Sequence, residues 1–121
     1  MAKLTEHYGD VGPGWHAILT MLHMELMQVT SDYEALQVKE KFGGLRAYIG
    51  IPQEEGIQPK AIAQRNIAYA LEYKYEMLSQ SVCEFCGREG TNKPDAHGWY
   101  KTFCETHRQR REEDGEMRKW T

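Results

Sequence analysis

Apolar positions recur with two different periods along this chain, and the changes of period divide it into elements. Trp15, Ile18, Leu19, Leu22 and Leu26 stand at i, i+3, i+4, i+7 and i+11, which is one face of a helix. They predict a helix from about Trp15 to Met27, its core-facing stripe widened by Met21, Met24 and Met27. Gly9, Gly12, Pro13 and Gly14 cluster ahead of it and predict a loop over residues 1–14. Residues 28–33 read as a turn. The period then falls to two. Leu36, Val38, Glu40 and Phe42 alternate with Gln37, Lys39 and Lys41. After Gly43-Gly44, Leu45, Ala47, Ile49 and Ile51 alternate with Arg46, Tyr48 and Gly50. Two alternating runs joined at Gly-Gly predict a β-hairpin whose apolar face lies on the helices. Glu40 is the misfit, because alternation puts it on that apolar face. Pro52, Gly56 and Pro59 mark a loop over 52–59. A long helix is expected from about Lys60 to Gln80, with Ile62, Ala63, Ile67, Ala70, Leu71, Met77 and Leu78 as its apolar stripe and Tyr69, Tyr73 and Tyr75 at its boundary.

Composition bounds the function. The chain has 121 residues, 40% hydrophobic and 27% charged, as expected of a folded domain rather than a disordered one. Its net charge is −3, and residues 81–121 carry eight basic and eight acidic side chains, so no segment is a basic tail. Nucleic-acid binding would need a local patch. The N-terminal stretch lacks the apolar core of a signal peptide, and no apolar run approaches the ~18 residues of a membrane span. The expected location is cytoplasmic, with no membrane partner. In a reducing compartment, three Cys arranged as a pair and a singleton point to metal ligation rather than disulfides.

The metal pattern is Cys83-x2-Cys86-x17-Cys104-x2-His107. Two Cys three apart on a tight turn can aim both thiolates at one ion, and Gly87 suits the backbone such a knuckle needs. Cys104 and His107, at i and i+3, share a face on a first helical turn. Arg88 to Asp95 reads as a polar loop and Trp99 to Phe103 as an aromatic strand. Knuckle, hairpin and ligand-bearing helix make a treble-clef arrangement holding one structural Zn2+ through Cys83, Cys86, Cys104 and His107. His97 is the rival fourth ligand, without paired spacing. The fold expected is α+β: a helix, a β-hairpin, a long helix and a C-terminal treble-clef-like zinc finger. It forms a single domain over 1–121, with a helix–hairpin–helix part at 15–80 and a zinc-binding part at 81–121.

No catalytic set emerges. A treble-clef (HNH-like) nuclease would use His97 as its base, but the segment after Cys104 offers no Asn and no second free His beyond His107. His16 and His23 are expected to be solvated. Two surfaces are candidates for a partner. Lys39, Lys41, Arg46 and Tyr48 share the outward face of the hairpin. Arg108, Arg110 and Arg111 follow the last ligand, ahead of Glu112, Glu113 and Asp114, beside Trp99, Tyr100 and Phe103. These rings either cover the zinc knuckle, the favoured reading, or stack on bases.

Val38-Lys39-Glu40-Lys41-Phe42-Gly43-Gly44-Leu45-Arg46, together with Cys83-Glu84-Phe85-Cys86-Gly87, Gly98-Trp99 and Cys104, resembles small uncharacterised bacterial and phage proteins in which a KEKFGGLR-like hairpin precedes a zinc knuckle. The likeness includes the Gly14-Trp15 helix start. It implies a phage or mobile-element setting and transfers no catalytic residues. The function expected is therefore a non-enzymatic zinc protein that binds and modulates, or inhibits, a host protein or protein–nucleic-acid complex. Direct nucleic-acid binding is the alternative and nuclease activity the second alternative.

Overall fold

The computed structural model describes residues 2–52 and 58–114; residues 53–57, inside the expected 52–59 loop, and 115–121 lie outside the described residues. The order is α1 (His16–Val29), β1 (Glu34–Lys41), β2 (Gly44–Gly50), α2 (Pro59–Ser79), β3 (Thr91–Pro94), β4 (Tyr100–Phe103) and α3 (Glu105–Asp114). Strands β1 and β2 form one antiparallel sheet and β3 and β4 a second. The mixed α/β class and the first hairpin are as expected. Strand β3 falls inside the loop expected over 88–95.

The main core lies between α1, α2 and the inner face of β1–β2. Ile18, Leu19, Leu22 and Leu26 of α1 meet Ala35, Val38, Leu45, Ala47 and Ile49 of the hairpin. Residues 2–15 are not a plain loop. Three short 3-10 turns fold Leu4 and Val11 into that core. The Tyr33 hydroxyl accepts the Leu4 N–H and pairs with His23 Nδ1, while His16 Nε2 lies 2.6 Å from the Tyr8 carbonyl oxygen. Both histidines are therefore half-buried linkers, not solvated side chains. Their spacing carried no sign of it because their partners come from outside the helix.

Several apolar positions differ from the periodic reading. A β-bulge between Ala35 and Gln37 shifts the phase of β1, so Ala35 and Val38 point inward and Leu36 is 60% exposed. The turn is Phe42-Gly43 rather than Gly43-Gly44. Phe42 has φ 55° and Gly43 φ 77°, and Gly44 already pairs with Lys41. Such a turn needs left-handed backbone at both central residues, and a bulky residue held there costs about 1–3 kcal/mol. On α2 the core face is Ala61, Ala68, Tyr75 and Ser79, at intervals of seven, seven and four residues, and Ile62, Ile67, Met77 and Leu78 are exposed. Small residues let α2 approach closely, which turns the larger ones outward. Met21, Met24 and Met27 likewise face out. Of the three boundary tyrosines, Tyr75 is buried with its hydroxyl donating to Glu25, while Tyr69 and Tyr73 are exposed.

Glu72 of α2 sits half-buried, with one carboxylate oxygen lacking a partner. Burial pushes its carboxyl up to about 7, against the pull of the Ile49 backbone N–H and with the push of Glu76. Its folded value lies above its ordinary 4.5. The folded state therefore binds the extra proton, and this group lowers stability as pH rises through that window. Glu72→Gln is expected to stabilise the fold by about 1 kcal/mol near pH 8, after allowance for half-exposure, and to be neutral near pH 4. Urea unfolding of both proteins at the two pH values checks this; equal gains at both would show an effect unrelated to charge.

Candidate metal centre and its anchors

The knuckle forms because the backbone from Cys83 to Arg88 folds back on itself. The Gly87 N–H donates to the Cys83 carbonyl at 2.9 Å and the Cys83 N–H to the Arg88 carbonyl at 2.7 Å. Gly87 takes φ 83°, the conformation expected of it. On the other side, Cys104 immediately precedes α3, and its carbonyl accepts the Arg108 N–H at 2.9 Å, which starts the helix. His107 lies on that first turn, so Cys104 and His107 share a face.

These two local structures bring Cys83, Cys86, Cys104 and His107 together, with their ligand atoms all within 4.8 Å of one another. The Cys86 and Cys104 sulfurs are 3.8 Å apart, and His107 Nδ1 is 3.7 Å from Cys83 Sγ and 3.2 Å from Cys104 Sγ. Thiolates about 2.3 Å from one tetrahedral ion stand about 3.8 Å apart, so the spacing suits four ligands around a common centre. The four residues are placed to hold a metal ion, and the sulfur-rich donor set is consistent with zinc. His97 is not among them.

The four side chains differ in how firmly they hold their protons. Burial pushes the Cys83 thiol up to about 11, although backbone contacts with Cys104, Cys86 and Phe85 oppose it. A buried thiol of that kind stays protonated until a bound cation displaces the proton to solvent. Burial also raises Cys104, but the backbone of His107 and the neighbouring Cys86 and Cys83 outweigh it and hold this thiol below its ordinary value. Burial, with the charges of Arg110 and Arg88, holds His107 low and so favours the neutral imidazole that ligates metals. The Phe85 ring packs on the His107 ring at 4.3 Å between centroids.

The site is bolted to the rest of the molecule. The Gly14 N–H donates to the Glu84 carbonyl at 2.8 Å, the Gly12 N–H to Glu84 Oε2 at 3.1 Å, and Trp15 Nε1 to the Val82 carbonyl at 2.9 Å. Glu84 is fully buried, and burial pushes its carboxyl up to about 7, partly offset by the Gly12 N–H. A second bolt joins the two hairpins. Glu40 Oε2 accepts the Gly43 N–H at 2.7 Å, Asn92 Nδ2 donates to the Phe42 carbonyl at 3.0 Å, and the Thr102 hydroxyl donates to the Gly43 carbonyl at 2.6 Å. Lys101 Nζ pairs with Glu40 Oε1 at 2.9 Å. Glu40 is thus no misfit: its inward position latches the hairpin tip to β3–β4. Its polar character on an apolar face was the one signal of this contact in the sequence.

The expected partner surfaces fare unequally. Arg108 is 5% exposed; its guanidinium donates to the Thr91 and Lys101 carbonyls at 2.6 and 3.1 Å. It staples α3 to the hairpin and does not face a partner. Arg111 pairs with Asp95 at 3.4 Å and lies over Phe103, which leaves Arg110 as the exposed member of that run. On the first hairpin, Lys39 lies opposite Arg46 and over the Tyr48 ring, but Arg46 is paired with Glu76 of α2 at 3.3 Å. Lys41 and Tyr48 are exposed. Of the three rings expected to cover the knuckle, only Phe103 is buried. Trp99 is 67% and Tyr100 47% exposed.

No described helix is long and apolar enough to cross a membrane. No protein-family model matches the chain, nor does any curated protein or solved structure.

Proposed function

We propose that this chain is a non-enzymatic binding protein whose C-terminal part is a treble-clef finger closed around one structural zinc ion. Four ligands fill a tetrahedral ion and leave no open position, which fits a structural rather than a catalytic metal. The succession of knuckle, β3–β4 hairpin and ligand-bearing α3 supports the treble-clef reading. The partner is a protein. The observation that carries this is the apolar surface left on the outer sides of α1 and α2. Ile62, Tyr69, Tyr73 and Met77 recur along the outward face of α2, with Ile67 and Leu78 exposed on another flank of that helix and Met21 and Met24 on α1, each at least 38% exposed. So many large apolar side chains on two adjacent helices mark a docking surface rather than scattered surface residues. The resemblance of the sequence to phage and bacterial proteins makes a host protein, or a protein–nucleic-acid complex, the expected target, and modulation or inhibition the expected effect.

Tyr73 is 64% exposed, so Tyr73→Glu leaves the fold intact while placing a charge in the face. Pull-downs from a bacterial lysate, read by mass spectrometry, are expected to return a specific protein with the wild type and to lose it with Tyr73→Glu. No specific protein on the wild type, or the same protein on both, counts against this reading.

A further inference from the structure

The latched tip of the first hairpin and the start of β4 bound an open cleft of about 650 Å³ that the apolar helix face does not use. Phe42 and Trp99 line it, each 67% exposed, with Tyr100 at 47%. A small protein has little reason to leave three aromatic rings in water around one cleft. Phe42 sharpens the point. Its backbone is held at φ 55°, in the left-handed region where a bulky side chain is strained and glycine is not. Asn92, Thr102 and Glu40 grip the backbone of this turn. The ring itself stays in solvent, so the strain is not repaid by burial. Strain maintained in this way is a mark of functional sites.

We propose that this cleft binds single-stranded nucleic acid, with a base stacked on Phe42 and Trp99 and an adjoining phosphate met by Lys41. The charges decide the occupant. Lys101 lines the cleft but is matched by Glu40 at 2.9 Å. Lys41 rests over the Phe42 ring at 5.5 Å and has no carboxylate at ion-pair distance among the described residues. The lining therefore carries one uncompensated positive charge beside flat apolar faces. That combination suits a base followed by a phosphate, because every base offers a face for stacking while the backbone supplies the anion. A proline-rich peptide would use the aromatic faces but has no need of the cation.

The test is fluorescence anisotropy of the zinc-loaded full chain with a labelled oligothymidylate at two salt concentrations. The wild type is expected to bind saturably, with log affinity falling by only about 0.7 per unit of log salt for each phosphate contacted. Trp99→Ala is expected to weaken binding about tenfold or more, the scale of one lost stacking contact. Phe42→Gly is expected to weaken it comparably while raising the melting temperature, because glycine relieves the turn. Opposite signs on affinity and stability separate a binding ring from a structural one. The inference is overturned if the wild type does not bind, or if both variants bind like the wild type. It also fails if duplex DNA binds as tightly, or if a polyproline peptide displaces the oligonucleotide and quenches Trp99 in its place.

Discussion

Cys86→Ser is expected to lose one equivalent of zinc and to unfold the chain from the knuckle through α3 while the rest stays folded. Hydrogen bonds at Glu84 and at the hairpin tip join this segment to the rest, but it buries little apolar surface of its own. Among its described residues the buried side chains are Cys83, Glu84, Thr102, Phe103 and Arg108, of which Phe103 alone is large and apolar. Full burial of one such ring contributes about 2–3 kcal/mol, whereas each ordered backbone residue costs about 1–2 kcal/mol. Structural zinc supplies about 10–16 kcal/mol of apparent binding free energy in finger peptides, and loss of one thiolate forfeits a large part of it. The main core contains none of the four ligands. Elemental analysis after dialysis, with hydrogen exchange read by peptide, checks both halves of the expectation. Protection is expected to vanish over 83–112 and to persist in α1 and the first hairpin. Full zinc content in the variant would refute the ligand set.

The metal centre was legible in the sequence because its geometry is local. Each x2 pair needs only one turn of chain, and that turn is fixed by short-range hydrogen bonds around Gly87 and at the start of α3. The first hairpin and α1 were legible for the same reason, since their faces repeat with a fixed period. What was lost depended on contacts between elements. The Ala35/Gln37 bulge moved Leu36 into solvent, and nothing in an alternating run announces a bulge. On α2, Ala61, Ala68 and Tyr75 took the core because α2 packs closely against α1 and β2, although Ile62, Ile67 and Met77 have the stronger apolar character. Hydrophobicity alone ranks those residues the other way.

Charged residues near the site show the same divide. Arg108 and Arg110 look equivalent in the run that follows His107, yet one is buried against the Thr91 and Lys101 carbonyls and the other is exposed. Helical phase separates them, and which phase faces β3–β4 is set by the fold around Cys104 and His107. Glu40 and Glu84 are the instructive pair. Both accept backbone N–H groups across a gap in sequence or turn: Gly43 for Glu40 and Gly12 for Glu84. A carboxyl that breaks an apolar pattern, as Glu40 does, points to a distant or turn-capping partner, because burying a charged group without one is costly.

Gly14→Ala is expected to destabilise the protein by about 3 kcal/mol or more, although Gly14 belongs to neither the metal site nor the main core. A Cβ at this position would lie 2.5 Å from the Gly87 nitrogen, 2.8 Å from the Glu84 carbonyl carbon, and closer still to the Cys83 carbonyl oxygen. All three are backbone atoms of the knuckle, so no side chain can rotate away. Either the N-terminal segment lifts off or the knuckle deforms. Lifting off breaks the Gly14–Glu84 and Gly12–Glu84 bonds and strands the buried Glu84 carboxylate, which adds to the steric cost. Because the four ligands are untouched, the variant is expected to retain one zinc and to lose stability by undocking rather than by demetallation. That outcome distinguishes it from Cys86→Ser. Gly9→Ala is the control: nothing lies within 4 Å of its Cβ position, and a change within about 0.5 kcal/mol is expected. Urea unfolding followed by circular dichroism, with zinc content measured in parallel, reads both variants. If Gly14→Ala proves as stable as Gly9→Ala, the N-terminal segment does not rest on the knuckle in solution.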